Sequence, residues 1–211
     1  MKVNTNRWNR IRYTIWAPIY DAVGVLLDAM RRRSLALLDI QKDDKVLIVG
    51  CGTGLDLRYI STPCSITATD ITPAMVERTL KRGKKLRLNV GALVMDAQHL
   101  SFRDNTFDKI ILHLIVAVVP VPTDALREAE RVLKPGGTIV VLDKFVRKGK
   151  KPSMLRKVAN TATSVLFSDI TRNAGSIISR TNLEILQDIK AEPTGNFRIL
   201  LLHKREAPLA L

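Results

Sequence analysis

The chain of 211 residues reads as one α/β domain built on a mostly parallel, seven-stranded sheet with helices on both faces. Three observations predict this. From Lys45 onward, short apolar runs alternate with helix-patterned segments, the rhythm of strand, crossover helix and parallel strand. The length suffices for one sizeable core and not for two. With 46% hydrophobic and 26% charged residues the composition is that of a folded globular protein, which excludes disorder as the main state.

The elements follow in order. Residues 1–40 read as a helical lid in two pieces, with Leu26, Leu27, Met30, Ser34, Leu37 and Leu38 at helical spacing behind the Arg31-Arg32-Arg33 run. The first strand, Val46 to Val49, breaks into Gly50-Cys51-Gly52-Thr53-Gly54 ahead of a helix, and Ser65 to Thr69 is the second. Thr72-Pro73 then supplies an N-cap with proline at the first helical position, opening a helix to about Arg82. Val90 to Met95 and Lys109 to His113 are the third and fourth strands. A helix from about Thr123 to Leu133 is expected to stop at Lys134-Pro135-Gly136-Gly137, a breaker and turn before the fifth strand, Thr138 to Leu142. Residues 146–182 form a basic insertion. Over residues 144–167, Lys144, Arg147, Lys148, Lys150, Lys151, Arg156 and Lys157 stand without an acid, and Leu155, Val158, Ala162 and Val165 place an apolar stripe on a helix from about Pro152. Residues 183–204 close the sheet with Glu184 to Ala191 and Phe197 to His203 around a hairpin loop, Glu192 to Asn196.

Thirty-four Lys+Arg against 20 Asp+Glu give a net charge of +14, which asks for an anionic partner, nucleic acid or membrane, without choosing between them. Cys51 and Cys64 supply no disulfide framework and fit a reducing, cytoplasmic compartment. The start of the chain has no signal-peptide core, and no run approaches the roughly 18 apolar residues of a membrane span, so membrane contact is expected to be peripheral, on the inner face. The apolar stretch Ile110 to Val119 is interrupted by His113 and reads as a buried strand running into a loop.

The strongest chemical signal is the apolar strand ending in Gly50-x-Gly52-x-Gly54. Glycines there permit positive φ and let bare backbone approach a ligand. A dinucleotide fingerprint would place its third glycine at position 55, which is Leu55, so the spacing disfavours a pyrophosphate site. Asp70 closes the next strand, where a carboxylate can accept hydrogen bonds from both hydroxyls of a ribose; the alternative is an acid near a helix N-cap. Met95-Asp96-Ala97 closes the third strand, where a side-chain acid and a backbone N–H can read an adenine edge; the alternative is a loop acid without a ligand.

Four segments together, Val49 to Gly54, Thr69 to Met75, Asp96 to Asp108 and Arg131 to Gly137, resemble the class I S-adenosylmethionine-dependent methyltransferases over residues 44–145. Trp16-Ala17-Pro18-Ile19-Tyr20-Asp21, Val118-Val119-Pro120-x-Pro122 and Asp143-Lys144-Phe145 bring the chain near the ubiquinone/menaquinone-biosynthesis and bacterial phosphatidylethanolamine N-methyltransferase types. The resemblance implies a Rossmann-like fold with one antiparallel strand, and S-adenosylmethionine as cofactor, released as S-adenosylhomocysteine. It further implies that Gly50, Gly52 and Gly54 surround the methionine part, Asp70 binds the ribose and Asp96 with Ala97 binds adenine, with Cys51, Thr53, Ile71 and Met75 also in the cofactor-binding set. Tyr20 and His113 complete the cofactor set. Tyr20, Asp21, His113 and Asp143 are the candidate bases or positioning groups; for His113 the alternative is a packed, hydrogen-bonded histidine.

Two departures stand out. The family usually carries Asp or Glu two residues before the first glycine, where this chain has Ile48, leaving Asp56 or Tyr20 to compensate. An Asn-His pair is usual around Asp143. The implied acceptor is a lipid or lipid-like small molecule, such as the amine of phosphatidylethanolamine, met at an anionic membrane surface through the basic helices. The other reading of those helices is a lid whose cations face water. RNA methylation suits +14 as well, but no Asn-Pro-Pro-Tyr-type element follows the fourth strand, and aromatics are only 5%. A catalytically silent adaptor on the same fold is the third reading, with Ile48 its best argument.

Overall fold

A computed structural model describes residues 5–11, 21, 24, 27–145, 172–193 and 195–206. Strands β1 (Lys45–Val49), β2 (Ser65–Asp70), β3 (Val90–Val94), β4 (Phe107–His113), β5 (Leu133–Lys144), β6 (Leu183–Lys190) and β7 (Phe197–Lys204) make one sheet in the order β3-β2-β1-β4-β5-β7-β6. The first five are parallel, and β7 runs antiparallel between β5 and β6. The chain therefore works outward from β1 to β3 and then crosses to β4 on the other side of β1. That reversal opens a crevice beyond the carboxyl ends of β1 and β4.

Alternation along each strand sends successive side chains to opposite faces. Leu47, Val49, Ile110, Leu112, Ile139 and Val141 join one apolar cluster; Val46, Ile48, Ile111, Val140 and Leu142 join the other. Both faces are covered, which is why these strands are continuous apolar runs. Helix α1 (Asp28–Leu38) seals the second cluster with Leu35 and Leu38. Helix α2 (Pro73–Leu86) lies against β2 and β3, and helix α3 (Pro122–Val132) buries Ala125, Leu126, Ala129 and Val132 in the first cluster. A one-turn helix, α4 (Ala174–Ile178), adds Ile177 and Ile178 to it.

Three local expectations are corrected. Behind the glycine loop the expected helix is only a short 3-10 helix, Leu55–Tyr59, in which Leu55, Asp56 and Leu57 are buried. Helix α2 continues past Arg82 to Leu86, where Arg87 takes left-handed backbone (φ 56) and returns its N–H to Gly83 and Lys84. The stretch Lys134 to Gly137 is not a turn. It belongs to β5: Leu133 already pairs with Phe107 and the ladder shifts before Lys109 meets Thr138. A Cβ on Gly137 would lie 2.9 Å from the Asp108 carbonyl, so only glycine lets the strand pass.

Of the lid, the helical residues 6–11 and α1 are described, together with Asp21, Gly24 and Leu27. Tyr20, Thr194 of the hairpin loop and the expected basic helix from Pro152 lie outside the described residues. Both cysteines are free thiols. Among the described residues no helix is long and apolar enough to cross a membrane.

Lys204, at the end of β7, donates to Asn105 Oδ1, Glu130 O and Leu133 O at 2.8, 2.8 and 2.7 Å, joining the end of β7 to the α3–β5 junction. Lys204→Met is expected to lower the unfolding free energy by about 2–3 kcal/mol, read from the urea midpoint. An unchanged midpoint would show the junction to be held by packing alone.

Candidate active site

The crevice is built from strand ends. Gly50, Gly52 and Gly54 all have positive φ (70, 53 and 77), which turns the chain sharply after β1. The Cys51 N–H returns to Thr69 O at 2.8 Å and Gly52 N–H donates to Asp70 Oδ2 at 2.9 Å, so the loop is strung from the end of β2. Asp70 Oδ1 accepts the Thr72 N–H at 2.9 Å. After β4, Leu114 takes left-handed backbone (φ 61), folding residues 114–119 over the opposite side.

Between these loops lies a cavity whose empty space, with the open solvent at its mouth included, is about 610 Å³. Gly50, Gly52, Asp70, Ile71, Met75, Asp96, Ala97 and His113, all candidates from the sequence, are brought together in its wall. Asn6, Asn9, Met95, Leu114, Ile115, Val118 and Val119 complete the described wall. Helix 6–11 spans the mouth, with Asn6 Nδ2 donating to Asp96 Oδ2 at 2.6 Å and Asn9 Nδ2 to Val118 O at 3.1 Å.

The wall carries Asp70 and Asp96 but, among its described residues, no Lys or Arg, in a chain of net charge +14. That polarity suits a small cation and disfavours a phosphate group. Burial raises the Asp70 pKa, partly offset by the Thr72 and Gly52 N–H groups. Each Asp70 oxygen takes one of those N–H bonds and, having two lone pairs, keeps capacity for one donor more. The residues present therefore fit S-adenosylmethionine, whose diol and sulfonium match this carboxylate and this charge.

Other candidates stand elsewhere. Cys51 is buried, receives the Thr79 hydroxyl on its Sγ at 3.3 Å and has its thiol pKa pushed up by that burial and by Asp70; its side chain is not in the described wall. Thr53 donates to Asp21 Oδ1 at 2.5 Å, and Arg82 holds the other Asp21 oxygen at 2.5 Å. Burial opposes ionisation of Asp21, but these two partners outweigh it and keep its pKa low. Asp143 is buried away from the cavity and accepts the Ala117 and Lys144 N–H groups at 2.9 and 2.8 Å, fixing the loop after β4. Burial lifts its pKa to about 6 despite those bonds.

His113 reaches the cavity wall, but its nitrogens are both engaged: Nδ1 with Asp56 Oδ1 at 2.7 Å and Nε2 with Ser34 Oγ at 2.9 Å. It has no nitrogen left for a substrate proton, so the packed-histidine alternative describes it better than a general base. Arg31 Nη1 meets the same Asp56 oxygen at 2.7 Å. Burial alone would raise the Asp56 pKa; Arg31 and His113 outweigh it and hold the carboxyl well below the usual range. Asp56 thus answers Ile48 only indirectly, since it faces this cluster and not the described cavity wall. Sequence reasoning missed Arg31, Ser34, Asn6 and Asn9. Arg31 sat in what read as a solvated basic run, and two asparagines spaced i, i+3 were the one available sign of a helix face turned toward polar partners.

Fold and cavity define a class: an α/β protein whose switch-point crevice suits a small cationic ligand. Residues 47–141 match the family described as a methyltransferase domain. The chain is 30% identical over 198 residues to a phosphatidylethanolamine N-methyltransferase of Cereibacter sphaeroides, covering 92% of this chain and 96% of that one. It is 33% identical over 133 residues to a demethylmenaquinone methyltransferase of Paenarthrobacter aurescens (strain TC1), covering 60% of this chain and 51% of that protein. A Haloferax volcanii methyltransferase solved in complex with the Trm112 methyltransferase activator shares the fold, with a TM-score of 0.78 at 17% identity over 94% of this chain and 98% of that one. The chain belongs to the S-adenosylmethionine-dependent methyltransferases of the class I, Rossmann-like fold.

Two stability measurements probe the buried charges. Arg31→Met leaves the Asp56 carboxylate without its guanidinium and is expected to cost about 3–5 kcal/mol in urea unfolding; a loss below about 1 kcal/mol would show the pair to be dispensable. Asp143 has a raised pKa, so the native state holds its proton while the unfolded state has released it. Its contribution is full below the ordinary value of 3.8 and is lost as pH rises through about 6. The stability of wild type minus Asp143→Asn should therefore fall between pH 4 and 7, and a flat difference would contradict the assignment.

Proposed function

We propose that the protein transfers a methyl group from S-adenosylmethionine to the amine of a phospholipid of the phosphatidylethanolamine type. The observation that carries this reading is the near end-to-end similarity to the Cereibacter sphaeroides enzyme, which takes in most of both flanks of the shared core. Similarity to the quinone-type enzyme stops at 60% of the chain. Residues 44–145 then serve as the cofactor-binding half, and residues 1–40 with 146–182 as the parts that select the acceptor.

In this reading Gly50 and Gly52 bring bare backbone to the methionine part, with Cys51, Thr53 and Gly54 shaping the loop from behind. Asp70 accepts both ribose hydroxyls. Ile71, Met75 and Ala97 offer apolar surface to the adenine, and Asp96 accepts from its amino group in competition with Asn6. When bound, S-adenosylmethionine supplies a sulfonium-activated methyl group open to in-line displacement. The chain's part is alignment and exclusion of water, supported by helix 6–11 lying across the mouth. An ammonium has no lone pair; the apolar side formed by Ile115, Val118 and Val119 favours the neutral amine by withholding solvation from its charged form. The carboxylates of Asp21 and Asp143 and the nitrogens of His113 are taken by other partners, so these three act as positioning groups.

A membrane surface is the source of such an acceptor. Trp8 and Ile11 are exposed on helix 6–11 beside Arg7 and Arg10, a pairing of apolar and cationic side chains that suits an anionic bilayer.

Incubation with labelled S-adenosylmethionine, total lipid extract and total RNA is expected to place label in the amine-bearing phospholipid. Label in a quinone would move the acceptor to the second relative's type, and label in RNA would overturn the lipid reading. Asp70→Ala removes two charge-assisted acceptors and should weaken cofactor binding by at least about 100-fold in calorimetry; an unchanged dissociation constant would refute the ribose contact.

A further inference from the structure

Arg31, Ser34, Asp56 and His113 form a buried polar cluster between α1, the 3-10 helix and the tip of β4, and methyl transfer as derived above uses none of their exchangeable protons. We propose that Arg31, Ser34 and Asp56 are positioning residues of the methyl-transfer site: they hold the His113 ring in one orientation behind the cavity wall and make the shape of the glycine loop depend on the docking of α1. The proposal rests on the reading of the cavity as the cofactor site.

An ionised Asp56 only accepts, so His113 Nδ1, 2.7 Å away, carries a proton. With Nδ1–H committed, Nε2 accepts the Ser34 hydroxyl at 2.9 Å in the neutral ring, or donates to the Ser34 oxygen in the charged one. The ring is held at both ends in either state, and it cannot turn without breaking two buried hydrogen bonds. Both nitrogens point into the cluster, and the His113 side chain is only 1% exposed, so the ring packs behind the cavity wall. Arg31 and Ser34 stand three residues apart on one face of α1, so a single helix face supplies both the counter-charge for Asp56 and the partner for Nε2.

Two further contacts extend the same track. Asp21 accepts from Thr53, and Gly24 abuts Leu55 so closely that a Cβ would lie 2.2 Å from its Cδ1. Positions 53, 55 and 56 are thus met in turn by positions 21, 24 and 31. The cluster has the Ser–His–Asp connectivity of hydrolytic triads. Ser34 is fully buried and absent from the described cavity wall, so no acyl group reaches its oxygen, and the connectivity serves to pin a ring.

The test is Ser34→Ala, a small change at one end of the cluster, with Asp56→Asn as second variant. Imidazole nitrogen NMR of the ligand-free protein reads the ring, and calorimetry with S-adenosylmethionine reads the loop. Wild type is expected to show His113 protonated on Nδ1. Ser34→Ala should shift the Nε2 resonance and weaken cofactor binding about tenfold, while lowering the thermal midpoint by only a few degrees. Asp56→Asn keeps an oxygen for Nδ1–H but loses the charge, and should speed exchange of that proton. An unmoved Nε2 resonance in Ser34→Ala overturns the ring assignment, and an unmoved dissociation constant overturns the coupling to the loop. Failure of wild type to bind S-adenosylmethionine would instead sink the cofactor reading, with the ring still decided by its spectrum.

Discussion

Burying the carboxylate of Asp56 commits three distant parts of the chain at once. A lone carboxylate in that position would cost several kcal/mol, so it is tolerated only because Arg31 and His113 converge on it. Arg31 comes from α1, Asp56 from the turn behind the glycine loop, and His113 from the tip of β4. Satisfying one charge therefore places the helix that closes one face of the sheet, the loop that shapes the cavity and the end of β4 beside it. Asp143 plays the matching part on the other side, tying the loop after β4 to the end of β5 through two backbone N–H groups.

Charge is distributed in two opposed ways. The chain as a whole is strongly basic, yet the described cavity wall holds Asp70, Asp96 and no cation. Much of the described basic surface is spent on local ion pairs, such as Arg131 with Glu128 and Asp104 or Lys134 with Asp108, which individually contribute little. A long-range basic field and a short-range acidic pocket are compatible because the first acts over about a Debye length in solvent and the second at contact distance. The first suits approach to an anionic surface and the second suits a sulfonium ligand.

The cofactor half of the fold was legible because its signals are local. Val46 to Val49 running into three glycines, Asp70 at the end of the next strand and Asp96 at the end of the third each declare themselves within a few residues, and the topology brings strand ends together without further information. The misreadings were also local in origin. Lys134 to Gly137 has the composition of a turn, and only the pairing of Leu133 with Phe107 draws it into β5. The residues after Gly54 form only a short 3-10 helix, Leu55–Tyr59.

Sequence by itself determined the succession of strand segments along the core, the glycine loop and the acids at the ends of the second and third strands, since each is written in a short pattern of spacing and side-chain type. Tertiary structure decided the direction of the polar side chains: Cys51 inward to Thr79, Asp143 onto backbone, His113 locked between Asp56 and Ser34. Those contacts join residues 57 and 79 positions apart in the case of His113, and 25 apart for Arg31 with Asp56. No local pattern encodes such pairings, because what selects them is the cost of leaving a buried polar group without a partner, and that cost exists only once the chain has folded.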